Sequence, residues 1–129
     1  MALVKVTDRP QLSFHMTAAD LAEAQLRAYN AKDLDAFCAC YSDDVEVYRM
    51  PSMTPAVVGL AKFRANYVAT FNNPAVHATV PTRVTMGNKC MDHELCFKAE
   101  NSPPVELMVM YETRADKIFK VTFYYNEDK

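Results

Sequence analysis

Residues 26–52 read LRAYNAKDLDAFCACYSDDVEVYRMPS, and this stretch decides the fold. It begins at the end of one helix and passes through a tight turn into a second, shorter helix that Asp33 caps. Ser42, Asp43 and Asp44 favour a turn because their side chains can bond to nearby backbone groups. The alternating run VEVYRM then predicts a strand. The stretch therefore predicts a helix–helix–strand unit.

The flanking sequence extends this unit in both directions. Thr17 is a predicted N-cap of the first helix, and Asp20 stands where a capping-box acid belongs. The run LAKFRANYVATF, which follows Gly59, predicts a third amphipathic helix. Four strands follow with short connections, the first of them a Gly87–Asn88 hairpin turn. This order predicts an α+β fold in which a curved, mostly antiparallel sheet carries the helices on one face.

Composition restricts the class of protein. The chain has 129 residues, 50% of them hydrophobic and 23% charged, which suits one globular domain. We assign residues 1–16 to an N-terminal arm and residues 17–129 to the domain. A net charge of -2 favours neither nucleic acid nor an anionic membrane as a partner. The four cysteines lack zinc or redox spacing, so we expect free thiols and no metal. The sequence has no phosphate-binding glycine loop or nucleotide motif, so we expect no cofactor. It has no long apolar run or signal-peptide pattern, so we expect a cytoplasmic location.

Period-two alternation separates the two faces of the later strands. The face that we assign to the helices carries Met91, His93, Leu95, Phe97, Leu107, Val109, Tyr111, Val121, Phe123 and Tyr125. The opposite face still carries Met108, Met110, Tyr124 and Cys96. That is much apolar surface for a face in solvent, so the pattern predicts a homodimer that forms sheet to sheet.

The stretch YNAKDLDAFCACYSDDVEVY, Gly59 before the third helix and Lys117–Ile118 before the last strand are similar to a known superfamily. They resemble the nuclear transport factor two-like superfamily and, within it, the SnoaL-like and steroid delta-isomerase-like group. The resemblance covers roughly residues 17–127. It implies a cone-shaped, cystatin-like α+β barrel with a deep apolar pocket between sheet and helices. Isomerases, cyclases, dehydratases, epoxide hydrolases and non-catalytic binding proteins share this fold, so the resemblance alone implies no single reaction.

The resemblance also implies where an isomerase would hold its catalytic groups, and this sequence departs from that pattern. Arg49 occupies the position of the base, and an Arg cannot take a proton from carbon at neutral pH. Gln25 occupies the position of the oxyanion tyrosine, with Tyr29 one turn later. Met108 or Val109 occupies the position of the protonated acid. Ordinary ketosteroid isomerisation is therefore not expected.

Two residues are candidates for chemistry in the pocket. Arg49 shares a strand side with Val47 and could hold an anionic group, or it could turn to the pocket mouth or pair with Glu46. His93 could be a general acid or base, or a core histidine held by one hydrogen bond. The remaining residues that we expect around the pocket are Gln25, Tyr29, Val47, Tyr67, Val109, Tyr111, Phe123 and Tyr125.

These residues leave two main functions open. The first is a cofactor-free enzyme of the isomerase or cyclase type that moves a proton on a hydrophobic carbonyl compound, with His93 as acid or base and Arg49 stabilising negative charge. The second is a non-catalytic protein that binds a lipid-like or carboxylate ligand. A dimeric scaffold with a filled cone is the third alternative.

Overall fold

The computed structural model describes residues 15–127. The arm assigned to residues 1–16 falls almost wholly outside them. The helices are Ala18–Ala31 (α1), Leu34–Cys38 (α2) and Leu60–Phe71 (α3). The strands are Tyr41–Arg49 (β1), Val57–Val58 (β2), His77–Met86 (β3), Lys89–Phe97 (β4), Val105–Arg114 (β5) and Lys117–Tyr125 (β6). The predicted α+β order is confirmed, with the two-residue β2 as the addition.

The six strands form one sheet in the order β2-β1-β6-β5-β4-β3. All neighbouring strands are antiparallel except β1 and β6. These two are the first and last strands of the domain, and they run parallel. The predicted hairpin joins β3 and β4. Gly87 takes a left-handed conformation there, with φ 58°, which glycine adopts without a steric penalty.

Local signals place α1 well at its start and less well at its end. Thr17 and Asp20 form the predicted capping box. Asn30 is a residue type that favours a helix end, but the helix continues to Ala31, and Lys32 caps it in a left-handed conformation with φ 61°. The Asn30 side chain instead bonds to both backbone groups of Ala78 on β3, at 2.9 and 2.8 Å. Asn30 therefore ties α1 to the sheet.

The core between the helices and β1 is aromatic. Phe37 on α2 is 1% exposed and stands at its centre. Five rings have centroids within 6.0 Å of the Phe37 ring: Tyr29, Tyr41, Phe63, Tyr67 and Phe71. Tyr41 begins β1, which also contains Ser42, Asp43 and Asp44, so the turn predicted at those three residues is wrong. This cluster forms one wall of the space between helices and sheet.

The predicted faces are right for β5 and β6 and wrong for β4. Leu107, Tyr111 and Val121 are buried on the helix-covered side. On β4, however, the residues on the helix-covered side are Cys90, Asp92, Glu94 and Cys96. The apolar set Met91, His93, Leu95 and Phe97 lies on the outer face, where each residue is partly exposed.

An ion cluster makes this inverted arrangement possible. The Asp92 side chain is fully buried, and Arg83 on β3 donates to both of its oxygens at 2.7 and 2.9 Å. Arg83 also donates to Glu23 on α1 at 3.0 Å. A buried carboxylate is tolerated only when it is paired in this way. Hydrophobicity alone therefore selected the wrong face of β4.

Candidate functional site

A cavity of about 290 Å³ lies between the concave face of the sheet and the three helices. This volume is close to the lower end of small-molecule sites, about 300–1,000 Å³. Its apolar wall includes Leu26, Phe37, Val47, Val57, Phe63, Val105, Leu107, Val121 and Phe123. Its polar and ionisable lining includes Gln25, Tyr29, Tyr41, Arg49, Asn66, Tyr67, Thr70, Glu94, Lys98, Tyr111 and Tyr125. The lining is therefore mixed and not wholly apolar.

Glu94 is the acid of this cavity. Its carboxylate makes no hydrogen bond or ion pair with the residues that the structure describes. Loss of solvent around the side chain raises the pKa of Glu94 to about 7, and the charge of Asp92, two residues away on the same strand face, adds to this. Lys98 acts in the opposite direction. Glu94 is thus divided between its acid and base forms near neutral pH.

Two phenols accompany Glu94. The hydroxyl groups of Tyr67 on α3 and Tyr111 on β5 have no hydrogen-bond partner within residues 15–127. Burial raises the pKa of both phenols, and the charge of Glu94 raises each further. Both therefore remain protonated at neutral pH and can donate a hydrogen bond to a ligand.

Other polar groups of the lining are already used by the protein. Tyr41 donates to the side-chain oxygen of Gln25 at 3.0 Å, and Gln25 donates to the backbone of Ala22. The Tyr29 hydroxyl lies 3.4 Å from the sulfur of Cys96. These three side chains hold α1, β1 and β4 together around the cavity and have less capacity left for a ligand.

Two cations, Arg49 and Lys98, also line the cavity, and both are exposed. Arg49 ends β1, and its guanidinium carbon lies 5.7 Å from the centre of the Phe123 ring, a cation–π contact. Lys98 follows the last residue of β4. Arg49 therefore lies at the cavity mouth, which is one of the alternatives that the sequence left open.

The structure brings most of the predicted pocket residues together. Arg49 and seven others line the cavity: Gln25, Tyr29, Val47, Tyr67, Tyr111, Phe123 and Tyr125. Val109 does not line it, because it is fully buried behind the wall. The placement of His93 on the cavity side is wrong. Its Nε2 lies 2.7 Å from Glu106 on the outer face of the sheet.

Sequence reasoning missed Glu94 and Lys98. Both stood on the strand face that was assigned away from the helices. The usable signal was the pair Cys90 and Cys96, which share a strand face with Glu94. Cysteine is among the residue types most often buried, so two cysteines on one face favour the interior.

Among residues 15–127, no three histidine, cysteine or acidic side chains come together as metal ligands. No helix in that part of the chain is both long and apolar enough to cross a membrane. The four cysteines are buried free thiols, as expected from their spacing.

Several solved structures are similar to this one. An uncharacterised cystatin-fold protein from Novosphingobium aromaticivorans is 24% identical, with a TM-score of 0.74 over 84% of this chain and 98% of that one. A candidate ketosteroid isomerase from Kribbella flavida is 16% identical, with a TM-score of 0.73 over 87% and 79%. A candidate polyketide cyclase from Sinorhizobium meliloti is 17% identical, with a TM-score of 0.66 over 81% and 93%.

These likenesses show the nuclear transport factor two-like, cystatin-like fold and no particular reaction. No curated protein matches the sequence. The family model of the SnoaL-like domain matches residues 22–121, which include every helix and strand that borders the cavity except the first residues of α1 and the end of β6. The chain therefore belongs to the SnoaL-like domain family.

Proposed function

We propose that this protein is a cofactor-free enzyme that moves a proton on a hydrophobic carbonyl compound. The observation that carries the proposal is the carboxyl of Glu94, which has no partner among residues 15–127, in a cavity that also holds two phenols without a hydrogen-bond partner in that range. A general base works best when its pKa lies near the working pH, and the pKa of Glu94 is about 7. Glu94 replaces His93 as the acid–base residue of the hypothesis.

The proposed reaction begins at the carbon next to the carbonyl group. The Glu94 carboxylate takes a proton from that carbon, and the C–H electron pair moves to form an enolate. Negative charge develops on the carbonyl oxygen, where Tyr67 and Tyr111 can donate hydrogen bonds. Protonated Glu94 then delivers the proton to the far end of a conjugated system, which completes an isomerisation without a change in oxidation state. Return of the proton to the same carbon regenerates the substrate.

The cavity supports this chemistry in a second way. Its aromatic and aliphatic wall excludes water from the enolate, and this strengthens hydrogen bonds to the developing charge. Fold relatives named as a candidate ketosteroid isomerase and a candidate polyketide cyclase are consistent with carbonyl chemistry on this scaffold. The residues proposed here differ from the isomerase positions, which Gln25, Arg49 and Met108 or Val109 occupy.

Exchange of carbon-bound protons tests the proposal without knowledge of the natural substrate. β-Tetralone is a small apolar ketone with acidic α-protons, and their replacement in deuterium oxide can be followed by proton NMR. The protein should accelerate this exchange above the buffer rate, in proportion to protein concentration. Saturable binding of β-tetralone without any acceleration would contradict the enzyme and favour a binding protein with the same cavity.

We also propose that the outer face of the sheet pairs with a second copy of the chain. Met108 and Tyr124 are 45% and 42% exposed there, and Met91, Leu95 and Met110 adjoin them. Exposed apolar surface of this kind is typical of interfaces. Sedimentation velocity should show a dimer that Met108→Glu converts to a monomer. A wild-type monomer at micromolar concentration would contradict the pairing.

A further inference from the structure

We infer that the substrate is a keto acid, whose carboxylate binds Arg49 while its carbonyl group lies at Glu94, and that Lys98 adds to the positive charge that attracts the acid; this inference rests on the proposed function of the cavity. It concerns the two cations of the lining, which the proton transfer itself does not use.

Arg49 differs from the other arginines of the described chain. Arg27, Arg64, Arg83 and Arg114 each pair with a carboxylate within 3.0 Å. The Arg49 side chain makes no hydrogen bond or ion pair within residues 15–127, and its guanidinium lies over the Phe123 ring. Stacking on a ring orients the guanidinium but leaves its donors free. Planar donors held in this way match a carboxylate.

The Lys98 side chain also makes no hydrogen bond or ion pair in that part of the chain; Lys62 shares this property but does not line the cavity. Lys98 lies beyond the end of β4, four residues after Glu94, and its charge reaches Glu94. When Glu94 is protonated, the cavity lining holds two positive charges and no negative one. An anionic group on the ligand would neutralise part of this charge.

The sheet register sets the distance between the two ends of such a ligand. Arg49 is paired with Phe123 on β6, while Glu94 is paired with Leu107 on β5. β1 and β4 are thus three strand spacings apart, about 14 Å along the curved sheet. The side chains of Arg49 and Glu94 both line the cavity, and their length shortens this path. The geometry favours a carboxylate several carbons from the reacting carbonyl over an α-keto acid.

A chain-length series tests this inference. The probes are levulinate, its longer methyl-ketone homologues and the methyl ester of each, with affinity measured by calorimetry on the full chain. One homologue should bind at least about 10-fold more tightly than its ester, because charge-assisted hydrogen bonds contribute more than neutral ones. Added salt should reduce that preference, since the cations are exposed.

Substitutions of Arg49 and Lys98, with one control, test whether these two residues cause the preference for the acid over the ester. Arg49→Met and Lys98→Met should each reduce the acid-over-ester ratio, and Arg49→Lys should restore part of it. Lys62→Met, on the exposed side of α3, removes the same charge and should leave the ratio unchanged. Equal binding of acids and esters by the wild type, or an unchanged ratio in both cavity variants, would overturn the inference.

The test of the keto-acid substrate and the test of proton transfer can fail independently of each other. If β-tetralone is exchanged but acids bind no better than esters, the enzyme stands and the keto-acid inference fails. If acids bind through Arg49 but no ketone is exchanged, the proposed reaction fails and the cavity is an acid-binding site without chemistry.

Discussion

Replacement of Glu94 by Gln should slow the protein-catalysed exchange of β-tetralone protons by about 10²–10⁴-fold. The amide keeps the size of the side chain but cannot take a proton from carbon. In the wild type, the exchange rate should rise with pH around the pKa of Glu94, about 7, because the carboxylate is the reactive form. Proton NMR at several pH values measures both effects.

The matched control for this prediction is His93→Gln. His93 lies on the outer face of the same strand, one residue from Glu94, and pairs with Glu106 at 2.7 Å. Its substitution should leave the exchange rate unchanged. β-Tetralone should still raise the melting temperature of Glu94→Gln, which would show an intact cavity. Full exchange activity in Glu94→Gln would mean that another group is the base.

Glu94→Gln should also stabilise the protein at alkaline pH, by about 3 kcal/mol. The pKa of Glu94 is raised from 4.5 to about 7 in the folded chain. The folded state therefore binds the proton more tightly than the unfolded state does. The contribution of this tighter proton binding to the free energy of unfolding is complete below the pKa of Glu94 in the unfolded chain. It decreases as the pH rises and is lost above the pKa of Glu94 in the folded chain. Gln resembles the protonated acid but does not titrate, so the variant keeps this stability at high pH.

Urea unfolding on both sides of this window measures the difference. The two proteins should be nearly equal in stability at about pH 4.5, and Glu94→Gln should be the more stable above about pH 7. Glu106→Gln provides a control of opposite sign. Hydrogen bonds from Asn126 and His93 lower the pKa of Glu106. Loss of the Glu106 carboxylate in Glu106→Gln should therefore destabilise the protein at neutral pH. A difference between wild type and Glu94→Gln that does not change with pH would contradict the raised pKa.

Those parts of the fold that depend on neighbouring residues could be predicted from the sequence. Thr17 and Asp20 cap α1 because their groups are three residues apart, and Gly87 opens the hairpin because of its own backbone freedom. The apolar spacing of residues 60–71 marks α3. The end of α1 was missed because Asn30 bonds to Ala78, which lies far away in the sequence.

The candidate site could be predicted only in part, and β4 shows why. Alternation separates its residues into two sets but does not say which set faces the helices. The apolar set was the natural choice for the interior. The burial of Asp92 depends on Arg83 and Glu23, which come from another strand and from a helix. Such a non-local ion cluster leaves no periodic signal, and Glu94 entered the cavity with it.

The acid–base role of Glu94 and the stability prediction both depend on the raised pKa of this residue. A carbon-13 NMR titration of protein labelled at the glutamate carboxyl carbon measures it, with Glu94→Gln to assign the resonance. One glutamate should titrate with a midpoint near pH 7, and its resonance should be missing from the spectrum of Glu94→Gln. A Glu94 resonance with the ordinary midpoint of about 4.3 would contradict both the acid–base role and the stability prediction.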